Sequence, residues 1–333
     1  MAFHAGLLRK LAELGTLENV SKISSVSGGS LLVGLIYQYN NMTWPSSQQF
    51  LNIVYPSIKD ALCQQSMQWG ALRQLWPLKN LRFILSRANL LAIALTKEWG
   101  ITQFIDELPE YPSWSVNGTT AENGRRFRFK RDSIGDYKLG YAKINKYPLA
   151  NALAVSAAFP GGFGPLAINT KNFIWLKKDW GDDKNTETVV MPPFKYIHLY
   201  DGGVYDNLGI EPFFDSGRGV SKVDDHFILV SDAGLPLSTG FSSGSLNPFR
   251  LKRVADIMSD QSHSLRIRSF INYIEKNSCK GYFVYIDDNS LKETKFSNVS
   301  RFPTTLKKLT ESQFNHISEC GYILCEKMVC GDK

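Results

Sequence analysis

Apolar residues at the start of the chain recur every three or four positions, at Phe3, Leu7, Leu11 and Leu14. This period predicts an amphipathic helix over residues 1–14 that ends at Gly15. A short β-prone run over 19–26 and an apolar, helix-prone run over 28–40 follow. Because a Ser-Gly-Gly turn separates these two runs, the pattern predicts a strand, a sharp turn and a buried helix.

A second helical pattern lies after residue 65. Its apolar stripe consists of Leu81, Ile84, Leu85, Ala88, Leu91, Ala92 and Leu95. This spacing predicts one amphipathic helix of about five turns within residues 78–100. We interpret the region of about 65–108 as a helical insertion.

Beyond residue 112 the pattern changes to alternation. The segment WSVNGTTAENGRRFRFKRD contains two Asn-Gly pairs, which are typical of a β-hairpin. Phe127 and Phe129 point to one face of this hairpin, and the other face carries Arg126, Arg128 and Lys130. Further strands are predicted at KYIHLYD, HFILVSD and YFVYID, and helices are predicted over 249–277 and 303–319.

Strands that alternate with helices favour an α/β fold with a mostly parallel central sheet and helices on both faces. The 333 residues contain no internal repeat and no linker long enough to divide them. We therefore expect a single domain over residues 1–333. The polar stretch of about 168–190 is predicted to be a loop insertion at the surface.

The composition narrows the class of partner. The formal net charge is +7 and 43% of the residues are hydrophobic, so the chain can bury a full core and suits an anionic partner. No nucleic-acid-binding motif accompanies the charge, so no nucleic acid is expected. The five cysteines form no CxxC pattern, and neither a metal site nor another cofactor is predicted. With no signal peptide and no long apolar run, we expect a cytoplasmic protein, and peripheral contact with a membrane stays open.

The turn at residues 25–29, Ser-Val-Ser-Gly-Gly, resembles a nucleophile elbow with serine in place of the first glycine. Ser27 would be the nucleophile, since a strained turn between strand and helix requires small neighbours. The N–H of Gly28 would face the oxygen that gains charge, and Gly29 completes the turn. The alternative is a serine-rich helix cap without chemistry.

A serine nucleophile needs a base, and the segment YDGGVYDN offers a candidate. Asp201 ends a hydrophobic strand and is followed by Gly202 and Gly203, which let the backbone pass close to a substrate or nucleophile. Ligands of open α/β sheets bind at the carboxyl ends of strands, so Ser27 and Asp201 are expected to meet there. An Asp-Gly turn that only caps the strand is the alternative.

The other titratable residues make weaker candidates. None of the five histidines follows the pattern of a triad histidine. His198 is interpreted as a structural residue of a strand, and His263 and His316 as ordinary helix residues. Asp206 and Asp232 resemble Asp201 as turn residues, with less support.

Four segments, in this order, resemble the patatin-like phospholipase family: MAFHAGLLRKLAELG, ISSVSGGS, VSAAFPGGFGPL and YDGGVYDNLGIEP. They correspond to the family's helix near the nucleophile, its G-x-S-x-G segment, its A-S-x-A-x-P segment and its Asp-Gly-Gly/Ala motif. The resemblance spans roughly residues 1–235. It implies a three-layer α/β/α fold, a dyad of Ser27 and Asp201 without a histidine, and cleavage of acyl esters in phospholipids or lysophospholipids through an acyl-enzyme.

One feature of the resembled family is not found in the sequence. Its members carry a Gly-rich G-G-G-x-R/K stretch before the first helix, and the amides and basic residue of that stretch form the oxyanion hole. This chain begins inside that helix, and FPGGFG comes too late in the order. The expectation is a longer native protein that includes the stretch and its strand. The alternative is a catalytically weakened lipid-binding protein.

Two basic segments with aromatic residues have two interpretations each. The region from Trp69 to Trp99 combines leucine, isoleucine and tryptophan with arginine and lysine, which suits an anionic membrane surface or packing on the core. The hairpin sequence GRRFRFKR could contact lipid head groups or form an ordinary charged outer face.

Overall fold

The computed structural model describes residues 1–84, 86–160, 163–178, 187–223, 226–237, 239–241, 249–277, 280–288, 291 and 294–330. The helices described are α1 (Ala2–Glu13), α2 (Gly28–Tyr39), α3 (Ser47–Gln49), α4 (Tyr55–Gln64), α5 (Met67–Arg73), α6 (Arg87–Glu98), α7 (Leu149–Ser156), α8 (Gly203–Asp206), α9 (Phe249–Lys276) and α10 (Glu311–Cys330). The strands described are β1 (Lys22–Ser25), β2 (Ser113–Thr120), β3 (Arg125–Phe129), β4 (Ser133–Asp136), β5 (Gly140–Lys143), β6 (Leu166–Asn169), β7 (Trp175–Lys177), β8 (Thr188–Val190), β9 (Tyr196–Asp201), β10 (Phe214–Asp215), β11 (Val220–Ser221), β12 (Ile228–Asp232) and β13 (Gly281–Tyr285).

Strands β1 to β9 form one sheet, in which β6, β9, β2, β3, β4, β5, β7 and β8 follow one another and β1 adds to β2. Within the described residues, each pair in this sheet is antiparallel except that of β1 with β2. The predicted mostly parallel central sheet is therefore wrong, although the mixed α/β class is confirmed. The three-layer arrangement stays a prediction.

Short connections explain why the sheet is antiparallel. Only residues 121–124 join β2 to β3, and only residues 137–139 join β4 to β5. Parallel neighbours need a crossover of about a dozen residues or more, which these turns cannot supply. The Asn-Gly signal at 123–124 thus predicts the local antiparallel pairing correctly. The alternation of strands and helices does not predict the strand directions of the whole sheet. A separate parallel pair, β12 with β13, packs against α9 and α10.

Two strands share one edge of β2 and run toward each other along it. β1 pairs in parallel with residues 113–116 of β2, and β9 pairs in the antiparallel direction with residues 118–120. The C-terminal ends of β1 and β9 therefore face each other across Asn117, the residue between the two pairings. This topology brings the turn after Ser25 close to Asp201.

Helices α2 and α7 pack on the apolar face of the sheet. Glycines allow a close approach: a Cβ at Gly118 of β2 would lie 2.7 Å from Val155 Cγ1, and a Cβ at Gly34 of α2 would lie 2.6 Å from Leu153 Cδ1. Because α7 is packed this tightly between α2 and β2, its C-terminal end is fixed beside the turn that follows β1.

The helical pattern of residues 78–100 is realised only in part. An α-helix covers Arg87–Glu98, whereas Leu78–Phe83 forms a 3-10 helix. Leu81 and Ile84 are 47% and 53% exposed, so the N-terminal part of the predicted stripe does not face the core. Leu85 lies outside the described residues.

Two other predictions differ from the structure at their boundaries. The helix predicted over 303–319 corresponds to α10, which begins at Glu311. The predicted surface insertion at 168–190 contributes β7 and β8 to the end of the sheet, and its residues 179–186 lie outside the described residues. The assignment of a single domain stays a prediction.

Candidate active site

The turn after β1 holds Ser27 at positive φ, with φ 50° and ψ −126°. Such a conformation costs a residue with a side chain on the order of 1–3 kcal/mol and persists only where its surroundings enforce it. The Ser27 N–H donates to the carbonyl oxygen of Ser156 at 3.0 Å and to its hydroxyl at 3.2 Å. The strand, the sharp turn and the helix therefore lie where the sequence predicts them, with Ser27 as the N-cap residue of α2.

Buried hydroxyl groups fix this turn. The Ser30 hydroxyl is hydrogen-bonded to the hydroxyls of Ser25 and Ser156, each at 2.8 Å, and all three side chains are buried. Trp114 Nε1 donates to Ser25 Oγ at 2.8 Å. One chain of hydrogen bonds thus joins β2, β1, α2 and α7 around Ser27. Sequence reasoning assigned none of these three serines a positioning role.

Asn117 lies where β1 and β9 meet, and it is 1% exposed. Its Nδ2 donates to Ser24 Oγ and to Ser25 O, both at 2.9 Å, and its Oδ1 accepts from Arg126 Nη1 at 3.5 Å. The sequence analysis treated this Asn-Gly pair only as a hairpin signal and missed the residue. Asparagine is depleted in strands, so an asparagine within the β-prone run was the signal that could have found it.

The Asp201 side chain is 2% exposed, at the last position of β9. Gly203 N–H donates to its Oδ1 at 2.8 Å, and the Ser27 side chain interacts with the carboxylate. Burial raises the pKa of Asp201 to about 7, and the interactions with Gly203 and Ser27 offset this rise only in part. Among the described residues no cationic side chain lies within 4.0 Å of the carboxylate. Such a group can accept a proton near neutral pH.

The two glycines after Ser27 have different backbone partners. Gly29 N–H donates to Val26 O at 2.9 Å, so its amide is already used within the turn. In the described part of the chain, the N–H of Gly28 has no backbone acceptor, so this amide can face a ligand. Met1 lies next to it, with its Cγ 3.6 Å from the position of a Cβ on Gly28.

The glycines after Asp201 are required by close contacts. A Cβ on Gly202 would lie 2.5 Å from Asn117 O, and a Cβ on Gly203 would lie 2.7 Å from Asn207 Oδ1. Because no side chain fits at Gly202, the chain can turn directly over the junction of β1 and β9. The predicted close approach of this backbone to a substrate or to the nucleophile stays a prediction.

Two histidines, His198 and His263, have carboxylate neighbours other than Asp201. His198 Nδ1 lies 2.6 Å from Glu122 Oε1, and the alternation along β9 places it on the face opposite to Asp201. His263, expected to be an ordinary helix residue, lies with its Nε2 3.0 Å from Asp232 Oδ2. One turn further along α9, Arg266 Nε lies 3.6 Å from Asp206 Oδ1. Sequence reasoning missed both of these pairs.

One cavity lies away from Ser27. A cavity of about 330 Å³ lies between α6 and the N-terminal end of α7, and its mostly apolar lining includes Ile93, Ile101 and Phe104. It is at the opposite end of α7 from Ser156 and so lies apart from Ser27. In the described ranges, no three His, Cys, Asp or Glu side chains are grouped to hold a metal ion. None of the described helices is long and apolar enough to cross a bilayer.

The fold and the site define a mixed α/β protein with a serine on a strained strand-to-helix turn and a buried aspartate beside it. The family described as patatin-like phospholipase matches residues 1–214. Because this match covers more than half of the 333 residues, the chain belongs to the patatin-like phospholipase family. The resemblance inferred from the four sequence segments is thereby confirmed.

Two solved structures are similar to this chain, and the likeness to the first of them supports the fold. Both are human GIVD cytosolic phospholipase A2 in complex with methyl gamma-linolenyl fluorophosphonate, one of them also with terbium chloride. Each is 13% identical in sequence, and the alignments cover 98% of this chain and 55% of the other, with TM-scores of 0.50 for the terbium complex and 0.47 for the second. This chain therefore spans about half the length of those structures. A search of the curated proteins found no match.

Proposed function

We propose that this chain is a serine acyl hydrolase that cleaves acyl esters of phospholipids or lysophospholipids, with Ser27 as the nucleophile and Asp201 as the general base. The observation that carries the proposal is the interaction between a serine held at positive φ and a buried carboxylate that has no cationic side chain within 4.0 Å among the described residues. Membership of the patatin-like phospholipase family supports a lipid ester as the substrate.

In the first half of the reaction, Asp201 accepts the hydroxyl proton of Ser27 while Oγ attacks the carbonyl carbon of the ester. The tetrahedral intermediate then collapses, the bond to the alcohol breaks, and the alcohol leaves with the proton returned by Asp201. Water attacks the acyl-Ser27 ester in the second half, and Asp201 takes its proton. When this intermediate collapses, the fatty acid leaves and the proton returns to Ser27 Oγ.

The base strength of Asp201 suits this cycle. A carboxylate in water, with a pKa near 3.8, is a weak base, whereas the buried group has a pKa of about 7. General bases work best when their pKa lies near the working pH. Burial without a cation therefore supplies the property that a histidine supplies in other serine hydrolases.

The oxyanion of the tetrahedral intermediate needs hydrogen-bond donors. The Gly28 N–H at the start of α2 would be one such donor. The dipole of α2, whose positive end lies there, would add to the stabilisation of the oxyanion. Gly29 contributes to the turn and not to the donor set, because Val26 O already accepts its N–H. A Gly-rich stretch that supplies further amides stays a prediction.

We further propose that the segment from Trp69 to Ile84 contacts an anionic membrane surface. Trp76 and Leu78 are 92% and 83% exposed, and the basic side chains of Lys79 and Arg82 lie beside them, also exposed. Exposed tryptophan and leucine next to cations suit the interface of an anionic bilayer. The structure favours this interpretation over packing on the core for the N-terminal part of the segment.

Covalent labelling tests the nucleophile directly. A fluorophosphonate, the reagent class present in the similar phospholipase structures, should modify Ser27 with loss of fluoride. Mass spectrometry should find the adduct on the peptide that contains Ser27. Ser27→Ala should abolish the adduct, and Ser57→Ala on α4 should keep it.

Turnover of a phospholipid and of a p-nitrophenyl ester completes the test. The parent should hydrolyse both, and Ser27→Ala should lose about 10³-fold or more in rate. Ser57→Ala should keep the parent rate. Lipid binding by the folded parent without labelling or turnover would reject the hydrolase and leave the lipid-binding alternative.

A further inference from the structure

Four basic side chains lie on the sheet face opposite to the candidate active site. These are Lys22 of β1, Arg126 and Arg128 of β3, and Lys130, the residue directly after β3; they are called the basic strip below. Asp201 pairs in register with Gly118, and Arg126 pairs with the next residue, Thr119. Since successive residues of a strand point to opposite faces, the basic strip and Asp201 are separated by the sheet.

The basic strip differs from an ordinary charged outer face. Arg126, Arg128 and Lys130 are half-buried, whereas Lys22 is exposed. Desolvation, together with the charge of Arg126, lowers the pKa of Arg128 to about 10. Desolvation and the charges of Arg128, Arg126 and Lys22 lower the pKa of Lys130. The strip therefore concentrates basic side chains in a place partly shielded from bulk water.

Among the described residues, carboxylates act on the basic strip only over longer distances: Glu211 and Asp206 on Arg126, Asp136 on Arg128, and Asp132 on Lys130. No carboxylate lies within 4.0 Å of any of its four members there. Arg126 donates to the neutral Asn117 at 3.5 Å, and Arg128 stacks on the ring of Tyr141 at 4.4 Å. Like charges that are partly desolvated and unpaired are unfavourable, and an anion laid along the strip would relieve that repulsion.

We propose that the basic strip binds a ligand with two or more phosphate monoester groups. Residues two apart on a strand lie about 7 Å from each other, so neighbouring members of the strip can hold adjacent phosphates of one small molecule. Arginine presents a planar fork to phosphate oxygens, and lysine adds a point charge. A soluble polyphosphate and the phosphorylated head group of a lipid share this chemistry.

The site is independent of the hydrolase proposal, because neither Ser27 nor Asp201 takes part. It shares one contact with the candidate active site, namely Asn117, which bonds Arg126 on one side and Ser25 O on the other. Arg126 is therefore left unchanged in the test, so that the turn before Ser27 stays intact.

Titration of the purified chain with inositol 1,4,5-trisphosphate tests the proposal. The variant Arg128→Gln/Lys130→Gln should weaken binding about tenfold or more, since each lost charge pair removes a charge-assisted contact. The control Lys307→Gln/Lys308→Gln removes two exposed charges elsewhere and should keep the parent affinity. Lys22→Gln changes one exposed residue and should weaken binding by a smaller factor. This variant keeps the proposal testable if the double variant does not fold.

The source of the phosphate is resolved with vesicles of ether-linked phosphatidylcholine, with or without phosphatidylinositol bisphosphate. Binding to the soluble trisphosphate in the absence of vesicles supports a free ligand. Binding to phosphoinositide vesicles alone, lost in Arg128→Gln/Lys130→Gln, supports a head group. Equal binding by the double variant and its control would overturn the proposal. Tighter binding of a single-stranded oligonucleotide than of the trisphosphate would also overturn it, in favour of nucleic acid.

Discussion

Asp201 and Asp206 lie five residues apart around one turn, and both side chains are 2% exposed. Burial raises the pKa of each. Their partners differ: Arg266 Nε lies 3.6 Å from Asp206 Oδ1, and the charges of Arg266 and Arg126 favour its ionised form. Among the described residues, the Asp201 carboxylate interacts only with the Gly203 N–H and the Ser27 side chain. At equal burial the two carboxylates therefore differ in their nearest described cation, and this difference leads us to expect a proton acceptor at Asp201 and a structural role for Asp206.

The hydrogen bonds of the two carboxylates support the same distinction. Asp206 accepts the N–H groups of Leu208 and Glu211 at 3.2 Å and 2.9 Å, so it organises the backbone that follows α8. Its pairing with Arg266 also fixes α9 against this turn. Asp201 accepts one backbone N–H and leaves the rest of its carboxylate toward the hydroxyl of Ser27.

The largest expected contrast is in catalysis. Asp201→Asn should lower kcat/KM for a p-nitrophenyl ester by about 10³–10⁴-fold, because the amide cannot accept the proton of Ser27. Asp206→Asn should keep the rate within about tenfold, since its carboxylate acts on the backbone and on Arg266 and not on the reacting atoms. Steady-state rates at equal concentrations of folded protein measure both.

A matched control separates a lost base from a disturbed turn. Asp232→Asn changes another buried carboxylate, the one paired with His263, and should resemble Asp206→Asn. If Asp206→Asn lost as much activity as Asp201→Asn while its melting temperature stayed at the parent value, the division of roles would be wrong.

The sequence predicts the two turns of this site, but it does not predict the strand arrangement that brings them together. The Ser-Gly-Gly turn and the Asp-Gly-Gly turn carry local signals, because few residue types tolerate a positive φ or a contact of 2.5 Å with Asn117 O. Their meeting was expected at neighbouring strands of a parallel sheet. In the structure, β1 and β9 instead run head to head along one edge of β2. Register and strand direction depend on long-range pairing, which no local pattern in one sequence encodes.

The missed residues share a physical reason. Ser30 and Ser156 look like ordinary small helix residues, and their role arises only when α2 and α7 pack together. His263 and Arg266 lie one turn apart on α9, but their carboxylate partners follow separate strands. The orientation of Phe127 and Phe129 could be predicted, because a strand with one buried face carries hydrophobic residues at every second position. Both side chains are buried in the structure. The same alternation did not show that Arg128 on the other face is half-buried.

The next contrast is in the pH dependence of the rate. If Asp201 is the base, kcat/KM for a neutral ester should rise about tenfold per pH unit below pH 7 and level off above it, because the group has a pKa of about 7 in the folded protein. Asp206→Asn should show the same profile at a similar pH. A flat profile between about pH 5 and pH 8 would contradict an essential base with this pKa.

The smallest contrast is in stability, and its sign should differ between the two residues. The pKa of Asp201 is about 7 in the folded chain against 3.8 for the unperturbed group, so ionisation of Asp201 costs folded stability. This cost is absent at pH values below 3.8 and complete above about 7. Asp201→Asn removes this ionisation cost and should raise the free energy of unfolding by about 1–2 kcal/mol at alkaline pH. The gain is smaller than the full cost, because an amide makes the contacts of the carboxylate less well. The gain should vanish as the pH falls toward about 4.

The pKa of Asp206 is raised as well, so its ionisation also costs folded stability. Asp206→Asn additionally removes the partner of Arg266, and we therefore expect a net loss of stability instead of a gain at the same alkaline pH. Urea unfolding at an acidic and at an alkaline pH measures both differences, and Ser57→Ala should leave the free energy of unfolding near the parent value. A loss of stability in Asp201→Asn at alkaline pH would mean that a cation, and not desolvation, determines the ionisation of Asp201. The two carboxylates would then have the same role, and the base would have to be sought elsewhere.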